Sequence, residues 1–222
     1  MFVRQTGDDL DCVIFDLDGT LLDTSPGIME SVRFAAEKLC YRQLTDDQLR
    51  TFIGPPLTDS FMRCYGCNNE EAKKLTAAYR EHYREGALLN AIPYDGIFEL
   101  CTELKKTDFI LAVATSKPQE FSEQILNHFG FSFPVICGAD MGGKLTKADL
   151  IRECVAKTGA DRAVMIGDTE HDAKGAMETG VPFIAVSYGF GNPDAMMEYP
   201  HIGVANSPMD VLQILKEKRE NW

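Results

Sequence analysis

Five short apolar runs, each ending abruptly at polar residues and parted from the next by helical periodicity, constrain this chain more than any other feature. Cys12-Val13-Ile14-Phe15 stops at Asp16, and similar runs occupy residues 109–114, 134–137, 163–166 and 183–186. Continuous apolar runs of this length suit parallel strands covered on both faces. The segments between them carry helix signals: Asp95 ahead of residues 96–105, Ser116 ahead of 118–129, Thr146 ahead of 147–157, and 172–179 closed by Gly180. Ser207-Pro208 opens a last helix to about Lys218. Strand alternating with helix predicts a doubly wound α/β fold with a parallel sheet.

Residues 24–90 break that rhythm. Ser25-Pro26 starts a helix to Leu39, Thr45 with Gln48 forms a capping box for a second, and residues 69–85 supply a third, with the turn Ile53-Gly54-Pro55-Pro56-Leu57 between the last two. The predicted organisation is therefore an α/β core made of residues 1–23 and 91–222, with a helical unit of residues 24–90 inserted in it.

Composition narrows the partners. The net charge of −12 repels nucleic acid and anionic membrane surfaces, yet leaves room for a small phosphorylated metabolite bound through a metal and lysines. The apolar runs fall well short of the roughly 20 residues a membrane span needs. Residues 1–11 lack the basic start and apolar core of an export signal, so a cytoplasmic location is expected, as monomer or homodimer. Most of the seven cysteines sit in apolar or helical contexts, as reduced thiols do; Cys64 and Cys67 form a single C-x-x-C without a second pair at metal spacing.

Ligands of an open parallel sheet gather beyond the carboxyl ends of its strands. The polar residues there are Asp16, Asp18, Gly19 and Thr20; Thr115, Ser116 and Lys117; Lys144 and Lys147; and Gly167, Asp168, Thr169 and Asp172. Carboxylates converging from different strands are tolerable around a cation, and an all-oxygen set is what Mg²⁺ takes, which in turn seeks phosphate oxygens. The expected site has Asp16 as nucleophile, Asp18 as acid and base, and Thr115 with one lysine clamping the phosphoryl oxygens, alongside Ser116 and Gly19. The expected metal set is Asp16, Asp18, Asp168 and Asp172, the last either ordering metal waters, holding the lysine or capping its helix.

Asp16-Leu17-Asp18-Gly19-Thr20, Thr115, the lysines and Gly167-Asp168-Thr169-Glu170-His171-Asp172 together resemble, in order, the motifs of the haloacid dehalogenase superfamily. The resemblance covers essentially the whole chain and implies a Rossmann-like core. Asp18 is similar to the second aspartate of its phosphatases and implies phosphoryl transfer through an aspartyl phosphate. The gap of 99 residues between Asp16 and Thr115 resembles members with a type 1 helical cap. Residues 50–57 and Ser187-Tyr188-Gly189-Phe190-Gly191 look like the phosphoglycolate phosphatase-like branch, which implies that Arg50 and Gly54 face the leaving group when the cap closes; otherwise Arg50 is a solvated helix charge. Lys147 resembles the family lysine in members that carry it on a helix, with Lys144 as the alternative. Lys117-Pro118 is expected to begin a helix.

Three rivals remain. Gly138-Ala139-Asp140-Met141-Gly142-Gly143-Lys144 matches a phosphate-loop skeleton but has Leu145 where Ser or Thr must reach Mg²⁺. A receiver-like signalling module would leave the helical unit and Asp18 without a purpose. A sugar phosphate mutase shares Asp16 and Asp18 and differs in what the cap returns the phosphoryl group to.

Overall fold

The computed structural model describes residues 11–140 and 144–219. The polar start of the chain, residues 1–10, and Met141, Gly142 and Gly143 of the phosphate-loop match lie outside the described residues. Strand β1 (Asp11–Phe15) is buried along its whole length. Its side chains alternate between two apolar layers: Val13 and Phe15 join one core, Cys12 and Ile14 the other.

A short strand β2 (Leu22–Asp23) leads into four helices, α1 (Ser25–Lys38), α2 (Asp46–Arg50), α3 (Leu57–Tyr65) and α4 (Asn69–Glu85), and the chain returns through β3 (Ile92–Pro93), antiparallel to β2. The remainder alternates: α5 (Ile97–Leu104), β4 (Ile110–Pro118), α6 (Gln119–His128), β5 (Val135–Ala139), α7 (Lys147–Thr158), β6 (Arg162–Gly167), α8 (Glu170–Thr179), β7 (Phe183–Val186), α9 (Pro193–Met197), β8 (Gly203–Ala205) and α10 (Pro208–Lys218).

The sheet order is β5-β4-β1-β6-β7-β8, and every pairing in it is parallel. Because β4 flanks β1 on one side and β6 on the other, the strand order switches there, and the carboxyl ends of these three strands are where such sheets bind ligands. At the opposite end, buried Asp11 is held by Arg162 through Nε and Nη2 at 2.8 and 2.9 Å and by Arg219 Nε at 2.9 Å, tying β1, β6 and the end of α10 together. Among the described residues no helix is long and apolar enough to cross a membrane.

Four local expectations need correction. Helix α3 was not anticipated; its apolar residues Leu57, Phe61 and Tyr65 have helical spacing, but Pro55-Pro56 reads as a break when Pro56 is in fact the residue ahead of the first turn. Helix α5 is preceded by Gly96 in a left-handed conformation, so Asp95 does not cap it. Strand β4 continues through Ser116 and Lys117 to Pro118, and α6 starts only at Gln119. Strand β8, three residues at the sheet edge, carries too little apolar pattern to stand out.

Candidate active site

Asp16 is the first residue beyond β1, and its backbone N–H donates to Ile166 O of β6 at 2.8 Å, which continues the ladder and fixes where its side chain projects. Asp168 follows β6 directly, and Asp172 lies in the first turn of α8. One oxygen from each of Asp16, Asp168 and Asp172 falls within 4.8 Å of the others, and all three residues are buried.

Lys147 completes this group. It is the first residue of α7, set by Thr146, whose hydroxyl accepts from Asp149 N while the Asp149 carboxylate accepts from Thr146 N. Its Nζ lies 2.8 Å from Asp16 Oδ1 and 2.7 Å from Asp172 Oδ1, and donates to the Ala114 carbonyl at 3.0 Å. Burial opposes the lysine's charge, but the two carboxylates outweigh it and its pKa is raised. Lys144, by contrast, is exposed.

Three carboxylates against one ammonium leave this interior with surplus negative charge. Burial first, then the Asp172 and Asp18 charges, push Asp16 up to about 7 although Lys147 pulls the other way. Burial and the neighbouring Asp172 and Asp16 raise Asp168 as well. Asp16 Oδ1 and Asp172 Oδ1 are buried and accept no well-directed hydrogen bond, close as the ammonium is. Three carboxylate oxygens within 4.8 Å of one another, balanced by a single ammonium, make an all-oxygen set with excess negative charge that fits a hard divalent cation.

Asp168 is held from behind. Its Oδ2 accepts the N–H groups of Phe190 and Gly191 at 2.7 and 3.2 Å, and Thr20 Oγ1 donates to Oδ1 at 3.3 Å. A side chain at Gly191 would put Cβ 1.7 Å from the Asp168 carbonyl, so only glycine lets the loop wrap this close. Gly19, at φ +85°, is left-handed, and a Cβ there would meet Asp168 Oδ2 at 2.1 Å. Its own N–H donates to Leu22 O, and Gly19 backs the Asp168 carboxylate.

Asp172 does two jobs: Oδ2 accepts from Thr169 N and Oγ1, closing the capping box of α8, while Oδ1 faces Lys147. Thr115 is buried at the end region of β4, and its hydroxyl oxygen accepts from Lys117 N at 3.2 Å.

Asp18, expected among the metal's residues, stands apart from the three-carboxylate group. Its carboxylate receives Lys117 Nζ at 2.8 and 3.1 Å and the Thr24 hydroxyl at 2.6 Å. Lys117 was expected to start a helix and is instead a buried member of the site. A residue before proline is disfavoured from the helical region, and Thr115 and Lys117, two apart on a strand, share a face; both signals were present in Thr115-Ser116-Lys117-Pro118. Ser116 points the other way and is exposed, as are Arg50 and Gly54, which the structure does not bring into this group.

The phosphate-loop match fails structurally too. Gly138 N is taken by the Gln119 side chain, and Asp140 Oδ1 accepts the N–H groups of Lys144 and Leu145, donors a phosphate would need. None of the seven cysteines is in a disulfide; Gly66 ends α3 between Cys64 and Cys67, whose thiol donates to Phe61 O.

A parallel α/β sheet bearing a buried carboxylate cluster and a lysine at its switch point is an arrangement suited to phosphoryl transfer. The family of haloacid dehalogenase-like hydrolases matches residues 13–186, and the chain belongs to it. It is 41% identical over 189 residues to a 5'-nucleotidase of Pseudomonas aeruginosa, covering 83% of this chain and 86% of that one. It is 36% identical over 194 residues to a tyrosine-protein kinase of Mycobacterium tuberculosis, with coverage of 85% and 66%. A phosphoglycolate phosphatase of Caulobacter vibrioides is 31% identical over 189 residues, 80% of this chain and 79% of the relative. The crystal structure of a predicted phosphatase from Clostridium acetobutylicum has a TM-score of 0.86 at 38% identity, covering 95% of this chain and all of the other. The chain is a phosphoric monoester hydrolase of this family.

Proposed function

We propose that this phosphatase hydrolyses a small phosphomonoester in two steps through Asp16, with Mg²⁺ as cofactor. An Asp16 oxygen attacks phosphorus, the bond to the ester oxygen breaks, and that oxygen takes a proton from the Asp18 carboxyl group. Asp18 next accepts a proton from water as the water oxygen bonds to phosphorus. The bond to Asp16 breaks, releasing inorganic phosphate and restoring the carboxylate. The Thr115 hydroxyl and the Lys147 ammonium stabilise charge on the equatorial oxygens. Mg²⁺, held by Asp16 and Asp168 with Asp172 ordering its surroundings, would neutralise phosphoryl charge as a Lewis acid.

The arrangement that carries this reading is Lys147 set between Asp16 and Asp172, with Asp168 completing the carboxylate group. Residues 24–90 serve as a cap that excludes water, and Arg50 and Gly54 meet the leaving group in a different seating of these helices. The substrate is a metabolite of the size of a 5'-nucleotide, phosphoglycolate or a sugar phosphate, met in the cytoplasm, a compartment in which seven free thiols persist.

Phosphate release across a panel of such esters and pyrophosphate identifies the substrate. Asp16→Asn is expected to abolish turnover with the fold retained. Acid-quenched wild-type enzyme should carry one phosphate on the peptide containing Asp16; a phosphate-free peptide during turnover, or hydrolysis by a clean Asp16→Asn preparation, refutes the mechanism.

A further inference from the structure

Lys117 sits where core and inserted helices meet. Its side chain is 5% exposed, its ammonium contacts both oxygens of Asp18, and the same ammonium lies 5.2 Å from the centre of the Tyr83 ring. Lys117 belongs to β4 and Tyr83 to α4, so this one cation bridges the catalytic carboxylate and the cap. Tyr83 is itself fixed, stacked on Tyr79 at 5.2 Å and edge-on to Phe121 of α6 at 5.5 Å. Its hydroxyl is buried without a hydrogen-bond partner and feels the Asp18 charge, so the ring face toward Lys117 is the favourable contact it makes with charge.

A lysine side chain has four rotatable bonds, and its ammonium is strongly hydrated when water can reach it. With α4 seated, the ring and the Asp18 carboxylate together replace that hydration and confine Nζ. With α4 withdrawn, one of these two partners is lost and water returns. Asp18 would then keep Thr24 Oγ1, which also lies where the chain leaves the core for α1.

We infer that Lys117 is a positioning residue for Asp18, and that Tyr83 holds it in place only while α4 is seated on the core. Seating the cap and orienting the acid–base carboxylate are then a single event. This rests on the role proposed above for Asp18.

The test compares phenyl phosphate with p-nitrophenyl phosphate, two esters of similar size. Phenoxide, whose acid has a pKa near ~10, needs a proton to leave far more than nitrophenoxide does. The quantity read is kcat/KM, which reports the first phosphoryl transfer and not the later hydrolysis of the intermediate. Lys117→Met should lower the phenyl to p-nitrophenyl ratio by at least about tenfold, within the range of general acid catalysis. Its Mg²⁺ affinity by calorimetry should stay within about twofold of wild type. Tyr83→Leu should shift the ratio in the same direction, and Tyr83→Phe, which keeps the ring, should rescue most of that loss. If Lys117→Met does not fold, the Tyr83 pair decides alone.

Equal losses on both esters from Lys117→Met, or a Tyr83→Leu ratio equal to that of wild type, overturns the inference. Asp18→Asn separates the two levels. If it is selective for phenyl phosphate while Lys117→Met is not, only the positioning role fails; if it affects both esters equally, the acid role of Asp18 fails and the inference with it.

Discussion

Individual side chains at this site carry more than one constraint, and each can be probed by a single substitution. Gly19 must adopt φ +85° and must leave space for Asp168 Oδ2. Gly19→Ala is therefore expected to cost about 1–3 kcal/mol in stability and to weaken Mg²⁺ binding by displacing Asp168; urea unfolding and calorimetry measure the two effects. Lys147 neutralises part of a buried negative cluster, so Lys147→Met strands Asp16 and Asp172. We expect a loss of about 3–5 kcal/mol without metal, partly restored by saturating Mg²⁺. A variant as stable as wild type without metal would show that the ammonium is not needed to hold these carboxylates in the fold. Asp16, Asp168, Asp172 and Lys147, which the fold brings together, each stand at a strand end or a helix start, and that is what marks them in the sequence. Lys117 stands at a strand end as well but reads as a helix start, because a strand that outlasts its apolar run has no composition signal; the signs against a helix were proline's effect on the preceding residue and the two-residue spacing from Thr115.

At the scale of elements, helix starts position the side chains of the candidate site. Thr146 caps α7 and Thr169 caps α8, and these two first turns deliver Lys147 and Asp172 to one another. Thr146→Ala should lower stability by about 1 kcal/mol and reduce kcat more than that loss alone explains, since the first helical residue is the lysine. A thermal melt with parallel steady-state kinetics checks both parts; an unchanged kcat in a variant of lowered melting temperature would separate the cap from the lysine. Five sheet strands and most helices followed from period and caps. The misses share a physical cause. Helix α3 is masked by Pro55-Pro56, the end of β4 by its polar residues, and β8 by its brevity. In each, tertiary contacts stabilise an element that its local pattern does not announce.

At the scale of the whole molecule, folding without metal gathers like charges in the interior. Asp16 moves from an ordinary 3.8 to about 7, and Asp168 moves in the same direction. A raised carboxyl pKa favours the fold while protonated, so this contribution is present below the ordinary value and is lost as pH rises through about 7. Mg²⁺ held by these carboxylates, as proposed, would oppose that loss by binding the ionised form. The melting-temperature gain from saturating Mg²⁺ should therefore be small near about pH 5 and larger near about pH 8. Equal gains at both would mean that these carboxylates are not the metal's ligands. The sequence by itself determined the doubly wound fold and the short list of chemistry-bearing residues, since both follow from local periodicity and from which residues end each strand. Only the tertiary structure decided which lysine meets which carboxylate. Lys147 and Lys117 are near each other in no local pattern, and each is assigned its aspartate by the burial and packing that converging strands and the inserted helices impose.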